Sequence, residues 1–145
     1  MGLFTSFDIS ATGMTAQRLR SDIIAQNLAN VNSTNTSDGG AYRRKTVVFT
    51  TKDYTPFSEV MGTAASRYHG GVKVSRIVED YETPMSMVYD PSHPDADENG
   101  YVEYPNVNVV TEMTNMIDAS RAYEANVTAF NASKSMALKG LEIGK

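Results

Sequence analysis

From Val109 to Leu141 the chain reads VVTEMTNMIDASRAYEANVTAFNASKSMALKGL. Within it Val109, Met113, Met116, Ser120, Tyr123, Val127, Phe130, Lys134, Ala137 and Leu141 fall on alternating steps of three and four, one seam of a long helix. Only Ser120 and Lys134 interrupt the apolar run. Near the other end Ile9, Thr12, Ala16, Leu19, Ile23, Gln26 and Asn30 repeat the spacing with more polar interruptions. Phe7, Met14, Ile24, Leu28 and Val31 add a second apolar surface to this first helix. A helix that is apolar on two sides needs two neighbours. The C-terminal helix of the same chain supplies one, and another subunit is the simplest source of the other.

The charges agree with association. Residues 1 to 31 hold Asp8 and Asp22 against Arg18 and Arg20, and residues 106 to 145 hold four acids against four bases, so the formal charge of -4 belongs to the middle. Neutral helices can be arrayed beside copies of themselves without accumulating repulsion. A sequence pI near 5.1 argues against a nucleic-acid binder that works by bulk charge. Arg43, Arg44 and Lys45 form the one basic run and read as a solvated turn.

Cysteine is absent, which excludes disulfides and thiolate metal sites. Met1 to Met14 lacks both a basic n-region and a continuous apolar h-region, so no cleaved secretory signal is expected. No apolar run is long enough for membrane insertion.

The spacing predicts a first helix from Ser6 or Asp8, either of which can cap it, to about Val31, with fraying or a bend at Gly13. Asn32 to Gly40 reads as a loop, and so does Lys52 to Gly71. Strands are expected at Thr46 to Thr51, Val72 to Val78, Met85 to Tyr89 and Tyr101 to Tyr104. In the second strand Val72 and Val74 should share one face, with Lys73 and Ser75 on the other. The last helix follows a cap at Asn106 or Asn108, with Gly140 and Gly144 flanking its end. The fold class is therefore α+β, mainly α. Long N- and C-terminal helices pair as a coiled-coil-like stem, with a small loop-rich β insert between them. The division is 1–31 and 106–145 for the helices of an assembly core and 32–105 for the insert.

Chemistry is sparse. Asp95, Asp97, Asn99 and Gly100 match the opening of a calcium loop, but position twelve is Asn106 rather than a bidentate glutamate, so an acidic surface turn is the better reading. His69 and His93 have no second histidine at metal-ligand spacing. No nucleophile elbow or phosphate-binding loop is present. No catalytic residue, metal site or cofactor is expected. Met113, Met116 and Met136 can fill irregular gaps in a core or an interface alike.

The run Gln26-Asn27-Leu28-Ala29-Asn30-Val31-Asn32, followed by Tyr42-Arg43-Arg44-Lys45, resembles the N-terminal signature of the bacterial flagellar axial proteins, the rod and hook family. Asn106 to Met113, continuing through Asn115-Met116-Ile117 to Ser120-Arg121-Ala122-Tyr123-Glu124-Ala125-Asn126-Val127, resembles that family's other end. Tyr89 to Val102 resembles its proximal rod branch. The loop from Ser33 to Gly40 is longer than the family's usual turn, and Gln26 stands where asparagine is frequent.

The resemblance implies a structural protein of the basal-body rod, exported through the flagellar type III apparatus. It would assemble with copies of itself and other rod proteins into a helical shaft that crosses the periplasm and transmits torque. The expected assembly interface is Ile9, Ala16, Leu19, Ile23, Asn27, Leu28 and Asn30 with Val109, Met113, Met116, Tyr123, Val127, Phe130 and Leu141. A soluble helical adaptor for one amphipathic partner would show the same C-terminal seam, though it has no need of the second surface on the first helix. A calcium-regulated module would account for Asp95 to Gly100 alone.

Overall fold

Two antiparallel helices carry the structure. In a computed structural model that describes residues 3–37, 39–53 and 69–143, α1 spans Leu3–Ala29 and α2 spans Val109–Ile143. Asn27 meets Glu112, Gly13 meets Asn126, and the rings of Phe7 and Phe130 lie 4.9 Å apart edge to face. The residue numbers run in opposite directions along the contact, which fixes the antiparallel sense. The chain is mainly helical, with two small antiparallel sheets between the helices.

Helix α1 begins at Leu3, ahead of the expected caps Ser6 and Asp8, which lie inside it. The Phe7–Phe130 contact holds its first turns against α2, so tertiary contact rather than a cap sets the start. It ends at Ala29, two residues before the expected Val31. There Asn30 Nδ2 donates to the Gln26 carbonyl at 2.8 Å and the chain turns. Helix α2 is capped as its sequence suggests: Asn108 Oδ1 accepts from the Thr111 amide at 3.1 Å. Gly140 lies within α2 instead of beyond it, and Gly144 falls outside the described residues.

The helix-to-helix seam is offset by one residue from the apolar pattern on both helices. On α2 the buried residues are Glu112, Ala119 and Ser133, with half-buried Asn126 completing a spacing of seven. On α1 Gly13 and Asn27 meet α2, and by helical period Ser10, Gln17 and Ile24 share their face. Apart from Ile24 these residues are small or polar, so they let the helices approach closely and leave little mark in a hydrophobicity pattern. Gly13 is a point of close approach, and α1 passes through it unbroken. A Cβ there would stand 2.6 Å from Asn126 Oδ1.

The expected α1 seam faces the β insert instead. Strand β1 spans Lys45–Asp53 and β2 spans His69–Glu79, paired antiparallel with register shifts after Val48 and Thr51. Both strands are longer than the sequence suggests and take in both ends of the expected Lys52 to Gly71 loop. The rest of that loop, 54–68, lies outside the described residues.

Thr12, Ala16 and Leu19 line a groove against Val72 and Val74, and Ile23 lies with Val47 and Phe49. Val72 and Val74 are half-buried while Lys73 and Ser75 are exposed, the alternation expected of this strand. Thr12 Oγ1 receives the Val72 amide at 3.2 Å and donates to the Ile9 carbonyl at 2.8 Å. Gly71, at φ +100°, runs so near α1 that a Cβ would collide with Thr12 Oγ1. The second neighbour of α1 is thus this hairpin of the same chain rather than another subunit.

Strands β3, Ser86–Tyr89, and β4, Tyr101–Tyr104, form the second hairpin. Its turn is held by Asp97, whose Oδ1 accepts the amides of Asn99 and Tyr101 at 2.9 and 2.8 Å. Val102 and Pro105 are buried beneath it.

The Gly13 contact predicts a reversal of sign. Gly13→Ala gains helix propensity of about 1 kcal/mol but must displace the Asn126 carboxamide, so alone it should be neutral or destabilising. In an Asn126→Ala background the same change should stabilise by several tenths of a kcal/mol or more. Urea unfolding of the four-member cycle checks this, and purely additive effects would contradict the close approach.

Candidate assembly site

The centre of the molecule is a buried polar junction. Asn27 is 0% exposed and Glu112 1%, and no other side chains as polar are so fully enclosed among the described residues. Helix α1 delivers Asn27 two residues before its end, and α2 delivers Glu112 in its first turn. The segment from Tyr42 to Lys45, leading into β1, threads between them.

Each polar atom of Asn27 is satisfied. Nδ2 donates to Glu112 Oε2 at 2.9 Å and to the Lys45 carbonyl at 2.8 Å, while Oδ1 accepts from Tyr42 Oη and the Lys45 amide, both at 2.9 Å. Arg44 grips the other carboxylate oxygen: Nε and Nη2 lie 2.9 and 2.7 Å from Glu112 Oε1. Asn115 Nδ2 adds a third donor at 3.2 Å. Burial, with the Glu79 and Glu112 carboxylates nearby, pushes the Tyr42 phenol above its ordinary value and keeps it a donor.

A second asparagine extends the junction. Asn106 Oδ1 accepts the Arg44 amide at 2.9 Å, and its Nδ2 donates to the carbonyls of Asp80 and Thr83 at 2.9 and 3.1 Å. Asn106 is therefore a bridge between the insert and the start of α2, and Asn108 is the cap. Asp80 lies beyond it. Thr83, through its amide and hydroxyl, holds the Asp80 carboxyl below its ordinary value, with smaller help from the Glu82 amide and Arg44.

The basic run is not a solvated turn. Arg44 is clamped to Glu112, Arg43 stacks 4.5 Å over the Tyr81 ring, and Lys45 lies 3.5 Å from Glu79 and starts β1. Composition could not show this, because the partner acids are 34 to 68 residues away in sequence. Glu112 and Asn106 were likewise not singled out as site residues. The available signal was a lone acid on a helix face otherwise made of small and uncharged polar residues.

The acidic turn is engaged as well. Asp95 accepts from Thr34 Oγ1 at 2.7 Å and Asn35 Nδ2 at 3.3 Å, and these bonds hold its carboxyl below its ordinary value. With Asp97 bound to its own turn, the two carboxylates serve different partners and do not converge. Among the described residues no group of three metal-ligating side chains gathers at one point. No helix is long and apolar enough to cross a membrane.

Of the residues expected at the assembly interface, Ala16, Ile23 and Asn27 are buried within the chain. Ile9, Leu19, Leu28, Asn30, Met116, Val127 and Phe130 are half-buried. Val109, Met113, Tyr123 and Leu141 are exposed, as are Val110, Ile117, Met136 and Leu138, which the seam did not include. At 100° per residue, Val110, Met113 and Ile117 lie on the side of α2 opposite Glu112, Ala119 and Asn126. Met136, Leu138 and Leu141 lie beyond the Phe7–Phe130 contact, near the far end of α2.

Family models match at both of these regions. Residues 7–35 fit the flagella basal body rod protein model, and residues 98–143 fit the model for the C-terminal region of flagellar basal body rod FlgEFG proteins. The two matches cover α1 with its following turn, and α2 with β4: the segments that supply Asn27 and Glu112 to the junction. The class is that of the flagellar rod proteins.

Over its full length the chain is similar to curated proteins named flagellar basal-body rod protein FlgC. It is 47% identical to that of Borreliella burgdorferi, with 99% of this chain and 98% of the relative covered. It is 43% identical to those of Bacillus subtilis and Salmonella typhimurium, with complete coverage of both partners. The chain belongs to the FlgC family of flagellar basal-body rod proteins, and is a structural component of the rod rather than an enzyme.

Two outcomes are expected of the junction. Arg44→Ala strands the buried Glu112 carboxylate and should cost about 3 kcal/mol or more. Arg44→Ala combined with Glu112→Ala should cost less than the two single changes added together, as read by urea unfolding. Asp80 has a depressed folded pKa, so its contribution is present above its ordinary value of 3.8 and is lost as pH falls through the folded value. Asp80→Asn should therefore flatten the acid limb of the stability profile below about pH 4 and leave the neutral limb parallel to wild type.

Proposed function

We propose that this chain occupies the proximal part of the rod, assembling with copies of itself and with other flagellar rod proteins into a helical shaft that crosses the periplasm and carries motor torque to the hook. It reaches that place through the flagellar type III export apparatus. Residues 1–31 and 106–145 form the assembly core, paired as a coiled-coil-like stem, and 32–105 form the insert.

One observation carries this reading. The large apolar side chains of α2 stay outside the chain's own fold, with Val110 74%, Met113 55% and Leu141 72% exposed. Exposed apolar surface of this kind, gathered near both ends of α2, marks an interaction site. The buried members of the expected interface act indirectly: Asn27 holds α1 and α2 in the register that presents that surface, and Ala16 and Ile23 hold the hairpin on α1. Because intrachain burial is small, much of the stabilisation arrives with the neighbours, and the terminal helices complete their folding as they assemble.

The test separates folding from assembly. Met113→Asp and Leu141→Asp place charge on exposed positions and should leave the circular dichroism and melting of the monomer unchanged while abolishing rod assembly and motility. Ile23→Asp buries a carboxylate and should destabilise the monomer itself by several kcal/mol. Export is scored separately, from the protein recovered outside the cytoplasm. Motile cells carrying both α2 substitutions at normal expression would overturn the reading.

A further inference from the structure

The chain is electrically divided. From Ile77 to Ser120 it holds ten acids and no lysine or arginine. The β3–β4 hairpin lies inside that stretch. Its register places Met87 opposite Glu103 and Tyr89 opposite Tyr101, so these four side chains share one face. Val88 pairs with Val102 on the other face, where Val102 is fully buried. The first face is therefore the outward one, and all four of its side chains are exposed. It is also rigid. The Tyr89 and Tyr101 rings stack edge to face at 5.2 Å, and Gly100, at φ +78°, packs so closely that a Cβ would stand 3.0 Å from both Tyr89 and Pro91.

A complementary surface lies elsewhere on the chain. Between α1 and β2 runs an open groove of about 640 Å³, floored by Ala11, Ala16, Leu19, Val72 and Val74. Arg18, Lys52 and Lys73 stand on its rim against a single acid, Asp22, so the rim is net basic. The volume suits several side chains rather than one. An apolar floor with a net basic rim matches an apolar, aromatic hairpin that carries Glu103, with Asp97 and Glu98 in its turn.

We propose that the groove between α1 and β2 receives the outward face of the β3–β4 hairpin from a second copy of this chain. Met87, Tyr89 and Tyr101 fill the apolar floor, and Glu103 pairs with Lys73 across the rim. The occupant is identified by charge: an acidic, aromatic face and a basic, apolar groove are both present on one chain, so a copy supplies what the groove lacks. Knob and hole are different surfaces, so the contact is heterologous and repeats head to tail into an open series. This contact uses the insert, and it deepens the proposed self-assembly, on which it rests, by adding a contact distinct from the α2 stripe.

A charge swap tests it. In the full-length chain, Lys73→Glu and Glu103→Lys should each weaken self-association at least tenfold by sedimentation velocity, and the two together should restore it to within threefold of wild type. Both positions are exposed, and far-UV circular dichroism verifies that each variant folds. Raising the salt to molar levels should weaken the wild-type association. Failure of the double variant to recover, or association indifferent to salt, would overturn the pairing. Tyr89→Ala gives a second reading, since loss of the apolar knob should weaken association whatever the charges do. Met113→Asp is run alongside. If it blocks rod assembly while the swap shows no rescue, the hairpin contact fails and the rod reading stands; if it leaves rod assembly intact, the rod reading itself loses its support.

Discussion

Everything in this structure is indexed to the pairing of Glu112 with Arg44 and Asn27. A carboxylate at 1% exposure is tolerable only when its oxygens are fully engaged, and here a guanidinium, two carboxamides and the geometry of two helices are needed to engage it. Sliding α1 along α2 by one residue would withdraw Asn27 from Glu112 and from the Lys45 backbone together. What such a junction contributes above all is register, because an apolar contact tolerates a slip that a satisfied buried charge does not. The start of β1, the bridge through Asn106 and the cap at Asn108 all follow from where Glu112 must sit.

The junction also explains how so small a chain can leave so much apolar surface outside. With register set by polar groups and distance set by Gly13, Ala119 and Ser133, the helices do not need large side chains between them. Leucines, methionines and valines that would fill a core in a self-sufficient domain are free to face outward on α2. The chain holds its shape through a few specific bonds and leaves much of the hydrophobic area of α2 exposed. The β1–β2 hairpin covers the second side of α1, so the exposed large apolar residues lie on α2 and the insert.

Much of the fold was legible in the sequence. Two long helices at the ends, four strands between them, a cap at one of Asn106 and Asn108 and the alternation of Val72 and Val74 all follow from local pattern, because helix period, strand period and capping chemistry act within a few residues. Charge balance at the ends and acidity in the middle were equally plain. The seam was misread by one residue on each helix. Periodicity finds large apolar residues, and here most of those residues pack on the hairpin or face outward, while the helix contact is made mainly by glycine, alanine, serine, asparagine and glutamate, with the Phe7–Phe130 pair at one end.

By itself the sequence determined the elements, their order and the family, since the motifs around Asn27, Tyr42 and Asn106 are carried intact in local sequence. Only the tertiary structure decided that these motifs are one site. Arg44 and Glu112 are 68 residues apart and Asn27 and Glu112 are 85 apart, and no local rule pairs residues at such separations. Their meeting is decided by the global requirement that a buried charge find its partners, which is satisfied only when both helices and the strand between them are in place.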